Sequence, residues 1–257
     1  MTGGSVTAGQ SALRMLPVPG RAALLLDMDG TLLDLAPTPD SVVVPDFLPG
    51  VLRRLRGQLG DALAFVTGRP IEQVEGLFGD IPFAIAGEHG GAIRHAPGSM
   101  VTRVSLPDPP VHWVLEAAGL VAAWPGAMLE QKQRGFVLHY RAIPEAGPAL
   151  RQGALALVAE DPAGFQLMEA SMAWEVRPRG ADKGSAVEAV MTELPFAGRA
   201  PIFIGDDVTD LDGIAAAQRL DGAGLLVPEV FGSAGGVRDW LARSADLIDA
   251  GGTWADR

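Results

Sequence analysis

The five apolar residues Ala22-Ala-Leu-Leu-Leu26 run without interruption into Asp27-Met-Asp29-Gly30-Thr31. An unbroken apolar run of that length, closed by turn formers, reads as a strand buried on both faces, the situation of a parallel sheet covered by helices on either side. The chain repeats the pattern. Ala62-Leu-Ala-Phe-Val66 ends in Thr67-Gly68-Arg69-Pro70, and Phe83-Ala-Ile-Ala86 runs into Gly87-Glu88-His89-Gly90-Gly91. Pro201-Ile-Phe-Ile204 ends in Gly205-Asp206-Asp207, and Gly224-Leu-Leu-Val227 supplies a fifth strand. Apolar residues at helical intervals over 47–59, and again from about Pro70 to Phe78, provide the crossovers. The predicted fold class is therefore α/β, a doubly wound, Rossmann-like parallel sheet. In such sheets ligands bind outside the carboxyl ends of the strands, so Asp27, Thr67 and Asp206 are expected to converge although ~40 to ~180 positions separate them.

The texture changes between residues 102 and 177, where the proline-rich SLPDPP leads into shorter, alternating segments. This stretch is read as an inserted, smaller, open-faced α/β domain, with 19–101 and 178–257 forming the main domain and 1–18 a flexible tail rich in Gly, Ser and Thr. Its clearest strand is Met168 to Arg177, apolar at 168, 170, 172, 174 and 176, so that one face is open to solvent or ligand. The same period places Glu130 with Lys132 on one face of a short strand and His139 with Arg141 on one face of the next, joined by a turn at Arg134-Gly135.

Charge narrows the class of partner. A formal net charge of -11 surrounds the chain with a field that repels polyanions, which argues against nucleic acid and acidic membrane surfaces and for a small ligand held by a few local cations. The absence of cysteine excludes disulfides and thiolate metal sites. The first twenty residues lack the basic start and apolar run of a secretory signal, and no apolar run approaches the ~18 residues of a membrane span, so a cytoplasmic location is expected.

Two carboxyl groups in Asp27-Met-Asp29 suit both coordination of a hard cation and a division of labour in catalysis, although an Asx turn accounts for the same residues. An EF-hand does not, because its glycine would come too early. Gly205-Asp206-Asp207-Val208-Thr209-Asp210 adds a second acidic cluster on a strand end; the two would repel unless a divalent cation lay between them, while a helix N-terminus rich in aspartate is the alternative. Thr67-Gly68-Arg69-Pro70 offers backbone N–H groups to an anion at a helix start, as ordinary capping also would. Lys183, at the start of a helix, opposes the helix dipole, which suggests either a phosphate partner or simple solvation.

Taken in order, DMDGT, VTGR, the Lys183-Gly184 pair and GDDVTD resemble the four-motif signature of haloacid dehalogenase (HAD) phosphatases, and the inserted domain resembles their cap. Within that superfamily, LEQKQRGFVLHYR and WEVRPRGADKG resemble the signatures of the trehalose-6-phosphate phosphatase family. The resemblance runs from about Ala22 to the last helix. It implies a Mg²⁺-dependent hydrolysis of a phosphate monoester, with Asp27 as nucleophile, Asp29 as acid and base with its proton affinity raised by its neighbours, and Thr67 and Lys183 holding the phosphoryl group. It further implies Mg²⁺ on Asp27, the Asp29 carbonyl and Asp206, with Asp207 completing the shell, and Gly68, Arg69, His89, Glu130, Lys132, Arg141 and Glu175 binding substrate. Another capped HAD sugar phosphatase, acting on sucrose phosphate or a glycosyl phosphoglycerate, shares the core motifs; a phosphosugar sensor and a receiver-like module are further alternatives. The family usually has lysine where this chain has Ser171 and an acid where it has Leu211. Trp113 and Trp174 are expected in a core rather than on a sugar, and His139 in a supporting place.

Overall fold

The structure, a computed structural model, describes residues 8–36, 41–132, 134–170 and 172–256. Ser171 and the first seven residues of the expected tail lie outside the described residues. The chain forms two compact units, one of the described residues up to Val104 together with those from Ala181 onward, the other Ser105–Gly180.

In the first unit the central strand is β1 (Ala22–Leu26), every residue of which is buried, flanked by β2 (Leu63–Val66) and β3 (Ala84–Gly87). Two short strands, β4 (Ala92–Arg94) and β5 (Val101–Arg103), extend that edge with antiparallel pairing. The late strands β10 (Ala200–Gly205) and β11 (Ala223–Leu226) lie on the other side of β1, giving the order β11-β10-β1-β2-β3-β4-β5 among the described residues. From β11 to β3 the pairing is parallel. The chain thus leaves β1 in one direction for β2 and returns to its other side for β10, so a topological switch point, where a crevice opens outside the strand ends, falls between β1 and β10. The five strands read from the sequence, and the fold class built on them, are those observed.

Helix α2 (Leu48–Gln58) buries Leu48, Val51, Leu52 and Leu55 on one stripe and packs on α9 (Ala234–Asp249). Helix α3 (Ile71–Phe78) buries Ile71, Val74 and Phe78, the last edge-on to Phe65 of β2. Helix α6 (Lys183–Met191) packs on α7 (Leu211–Arg219). The expectation of a flexible segment over 1–18 is corrected for its described part: Ala8–Arg14 is a helix (α1), and Leu13 and Leu16 are buried in the main core. Burying two leucines offsets the ordering of a short segment, since each contributes about 1.5–3 kcal/mol. No helix among the described residues is long and apolar enough to cross a membrane.

The second unit is a sheet of order β6-β7-β9-β8 carrying helices α4 (Val111–Ala122) and α5 (Gly147–Val158). Its strands are β6 (Met128–Lys132), β7 (Gly135–His139), β8 (Phe165–Ala170) and β9 (Ala173–Pro178), all antiparallel. Trp113, Phe136, Leu138, Leu150, Phe165 and Val176 form its core. Trp113 stands edge-on to Phe165 at 5.0 Å, and Trp174 stacks on Tyr140 at 6.0 Å while donating to the Gly147 carbonyl, so both tryptophans belong to the core side.

Two expectations are corrected here. The single strand from Met168 to Arg177 is a hairpin of β8 and β9, with Met172 at φ 57 in the turn. Met168 pairs with Glu175 and so shares its face, whereas Leu167 pairs with Val176. The apolar alternation of the sequence runs on through the turn and so looks like one strand, while the pairing joins even positions to odd ones and exchanges the two faces. Arg141, expected on the strand face with His139, lies beyond the end of β7 in an exposed turn.

Candidate active site

The register of the sheet brings the acidic loops level. Leu26 pairs with Ile204, and the Asp27 N–H donates to the Ile204 carbonyl at 2.9 Å, so the first residue past β1 and the loop past β10 meet. Gly30, at φ +78, is required on two counts, since a Cβ there would stand 2.0 Å from an Asp206 carboxylate oxygen. Thr31 steadies that carboxylate from the same turn with a hydroxyl at 3.3 Å.

Lys183 arrives from the first turn of α6, whose N-cap Asp182 forms a capping box with Ser185. Its Nζ donates to Asp27 Oδ1 at 2.8 Å and to Asp210 Oδ1 at 2.6 Å. The other Asp210 oxygen accepts the backbone N–H groups of Asp206 and Asp207 at 3.0 and 3.1 Å. Asp210 therefore ties the lysine to the loop that presents Asp206. Asp27, Lys183 and Asp210 are all buried.

Burial sets the electrostatics. It pushes Asp27 up to about 7; Lys183 opposes the shift and the nearby charge of Asp210 adds to it. Asp210 and Asp206 are also raised, each first by burial, Asp206 then by the negative charges of Asp210 and Asp207. Burial works against the Lys183 ammonium, but Asp27 and Asp210 outweigh it and hold its pKa above the ordinary lysine range. Burial would raise Asp207 too, yet the Thr209 hydroxyl and N–H bring it below the usual carboxylate range.

Asp27, Asp206 and Asp210 each offer a carboxylate oxygen within 4.8 Å of the others. Three carboxylates against one buried ammonium, all hard oxygen donors, fit a divalent cation. Of the expected ligands, Asp207 is turned to Thr209, whose N–H and hydroxyl it accepts at 2.8 and 2.7 Å. The Asp29 carboxylate is gripped instead by Arg69, Nε to Oδ2 at 2.6 Å and Nη2 to Oδ1 at 2.7 Å. The charged group set against this carboxyl is thus a guanidinium, which meets both of its oxygens.

Sequence reasoning passed over Asp210. Its signal was present, because Asp207-x-x-Asp210 has capping-box spacing, and the structure shows that reciprocal arrangement. That Asp210 also reaches Lys183 depends on the packing of α6.

Thr67 follows β2 and is buried; its N–H donates to the Ala86 carbonyl at 2.8 Å and its hydroxyl oxygen accepts the Arg69 N–H at 3.2 Å. The Arg69 N–H expected to face an anion is therefore engaged, leaving the Thr67 hydroxyl and the Gly68 N–H as the donors of that loop. His89, at φ 55, sits against Gly68, where a Cβ would come 2.6 Å from His89 Nε2. Asp29, Gly68, Arg69, Pro70, Gln73 and His89 line a cavity of about 410 Å³ together with Leu35, Ala36 and Val42.

On the second unit, Glu130, Val137, Glu175 and Met168 are successive partners across the four strands and so share the face opposite the helices. His139 Nε2 is 2.8 Å from Glu130, and Lys132 pairs with the same carboxylate. First Lys132 and then His139 hold Glu130 below the usual carboxylate range. Arg141 lies past the end of β7.

Residues 25–243 match the family model described as trehalose-phosphatase. The chain belongs to the trehalose-phosphatase family. It is thereby a phosphoric monoester hydrolase of the HAD superfamily. A probable trehalose-phosphate phosphatase of Sinorhizobium fredii is 40% identical over 80% of this chain and 77% of its own length. The trehalose-6-phosphate phosphatase of Escherichia coli is 38% identical over 78% and 75%. Among solved structures, trehalose-6-phosphate phosphatase of Aspergillus fumigatus superposes with a TM-score of 0.66 at 23% identity, covering 91% of this chain and 96% of that one, a likeness of fold.

Proposed function

We propose that this trehalose-phosphatase family member hydrolyses trehalose 6-phosphate to trehalose and inorganic phosphate in two displacements at Asp27. The observation that carries the reading is the buried Asp27–Lys183–Asp210 chain beside Asp206, at the switch point of the sheet. The names of its relatives support the choice of sugar.

Asp27 attacks phosphorus, its oxygen forming a bond as the bond to the sugar oxygen breaks, so that one difficult hydrolysis becomes two easier steps through an aspartyl phosphate. Asp29 gives its proton to the departing sugar oxygen and takes one from the water that attacks in the second step. Lys183 offsets the negative charge that an anionic nucleophile meets on approaching a phosphate; the Thr67 hydroxyl and the Gly68 N–H donate to the transferring oxygens, at about 3 kcal/mol per well-aimed donor. Asp27 and Asp206, with Asp210 behind them and the Asp29 carbonyl, would hold Mg²⁺, which when bound supplies positive charge to the phosphoryl oxygens and lowers the proton affinity of Asp27. Glu130, Lys132 and Glu175 recognise sugar hydroxyls, and the unit that carries them, residues 105–180, acts as the cap.

The test is phosphate release from trehalose 6-phosphate beside glucose 6-phosphate and sucrose 6-phosphate, with Mg²⁺ and with EDTA. Selective, metal-dependent release from the trehalose ester is expected. Comparable rates on all three would retain the chemistry at Asp27 and discard the sugar assignment, and release undiminished by EDTA would discard the cation.

A further inference from the structure

Arg69, expected among the substrate-binding residues, sets its guanidinium on Asp29. The side chain is 8% exposed and makes two short hydrogen bonds to Asp29, one from Nε and one from Nη2, each to a different carboxylate oxygen. A two-point fork of this kind fixes the plane of a carboxylate as well as its position, which a single donor cannot do. The fork is itself held. The Arg69 N–H is bonded to the Thr67 hydroxyl oxygen, its carbonyl accepts the Glu88 N–H at 3.1 Å, and Nη1 lies 3.4 Å from Gln73 Oε1. Asp29 so oriented lines the same cavity as Arg69, Gln73 and His89.

We infer that Arg69 is the positioning residue of the acid, aiming Asp29 at the leaving-group oxygen and stabilising the carboxylate that forms as its proton passes to that oxygen. The inference rests on the reading of Asp29 as general acid. In the step concerned the Asp27–phosphorus bond forms, the phosphorus–oxygen bond to the sugar breaks with its electron pair going to the sugar oxygen, and the proton of Asp29 neutralises that oxygen. Charge then appears on Asp29 where the guanidinium already stands, so the fork interacts more strongly with the transition state than with the neutral acid. A residue that merely gripped the phosphate would act on every ester alike.

Leaving groups separate the two cases. A sugar alcohol needs a proton to depart, whereas p-nitrophenolate does not. The comparison is kcat/KM for trehalose 6-phosphate and for p-nitrophenyl phosphate, a quantity that reports events only up to departure of the alcohol. Asp29→Asn is expected to lose 100-fold or more on the sugar ester and less than 10-fold on the aryl ester. Arg69→Met is expected to follow the same selective pattern with a 10- to 100-fold loss on the sugar ester, and Arg69→Lys to recover part of it, because an ammonium keeps the charge without the fork. Retained activity on the aryl ester shows that each variant is folded; should Arg69→Met fail to fold, Arg69→Lys carries the same comparison. Equal losses on both esters in the Arg69 variants, with selectivity intact in Asp29→Asn, would overturn the inference alone. Equal losses in Asp29→Asn as well would overturn the acid assignment and the inference with it.

Discussion

The two units solve the same electrostatic problem in opposite ways. Each carries a lysine paired with a carboxylate, but the side chains of Lys183 and Asp27 are 4% and 5% exposed while those of Lys132 and Glu130 are 50% and 44% exposed. In the first unit burial makes every charge costly unless it is paired, so Asp27, Lys183 and Asp210 are locked together and their proton affinities are displaced. In the second unit water screens the same kind of pair, whose partners are free to exchange one another for hydroxyl groups at small cost. On the proposed function, the locked charges of the first unit serve the covalent reaction and the screened pair of the second serves recognition of a polar ligand.

The comparison is broken first at Asp27. Asp27→Asn removes the nucleophile with little change of shape, and phosphate release is expected to fall by about 10⁴-fold or more; an active variant would rule out the covalent route. Lys183→Met leaves two buried carboxylates without their ammonium, which costs roughly 3–5 kcal/mol of stability as read by urea unfolding, with activity lost as well.

A smaller effect follows from pH. With Asp27 pushed up to about 7 in the folded state, above the ~3.9 of an unfolded aspartate, the folded chain binds a proton that the unfolded chain has released. Asp27 therefore contributes stability that is present below pH ~4 and is lost as pH rises through about 7. Asn at this position carries no such term, so in EDTA Asp27→Asn should gain on the wild type between pH 5 and pH 8, by at most roughly 3 kcal/mol. Unfolding midpoints at the two pH values measure it, and a constant difference would mean that Asp27 keeps an ordinary proton affinity. The smallest effect belongs to the exposed unit. Glu130→Gln should raise KM about tenfold and leave kcat and the unfolding midpoint nearly unchanged.

Much of this was legible beforehand, for reasons that differ from element to element. Strands β1, β2, β3 and β10 could be read because a parallel strand covered on both faces writes itself as a continuous apolar run. Strands β4 and β5 escaped, since three residues each, with β5 exposed, are too short to show a period. The β8–β9 hairpin was misread because the apolar alternation of the sequence continues through the turn although the two faces exchange there, and Arg141 because the end of β7 is set by its pairing to β9 rather than by its own residues.

What the amino-acid sequence determined by itself is local: which segments are strands, which polar loops follow them, and hence that Asp27, Thr67 and Asp206 end on one edge. Such properties depend on residues within a few positions of one another. Only the tertiary structure decided which aspartates share a buried cluster, that Asp210 belongs with Asp27 and Lys183, and that Asp29 is held by Arg69. Those pairings join positions 27, 40 and 156 residues apart, and they are chosen by strand register, by the approach of α6 and by the exclusion of water, none of which is a property of any short stretch of the chain.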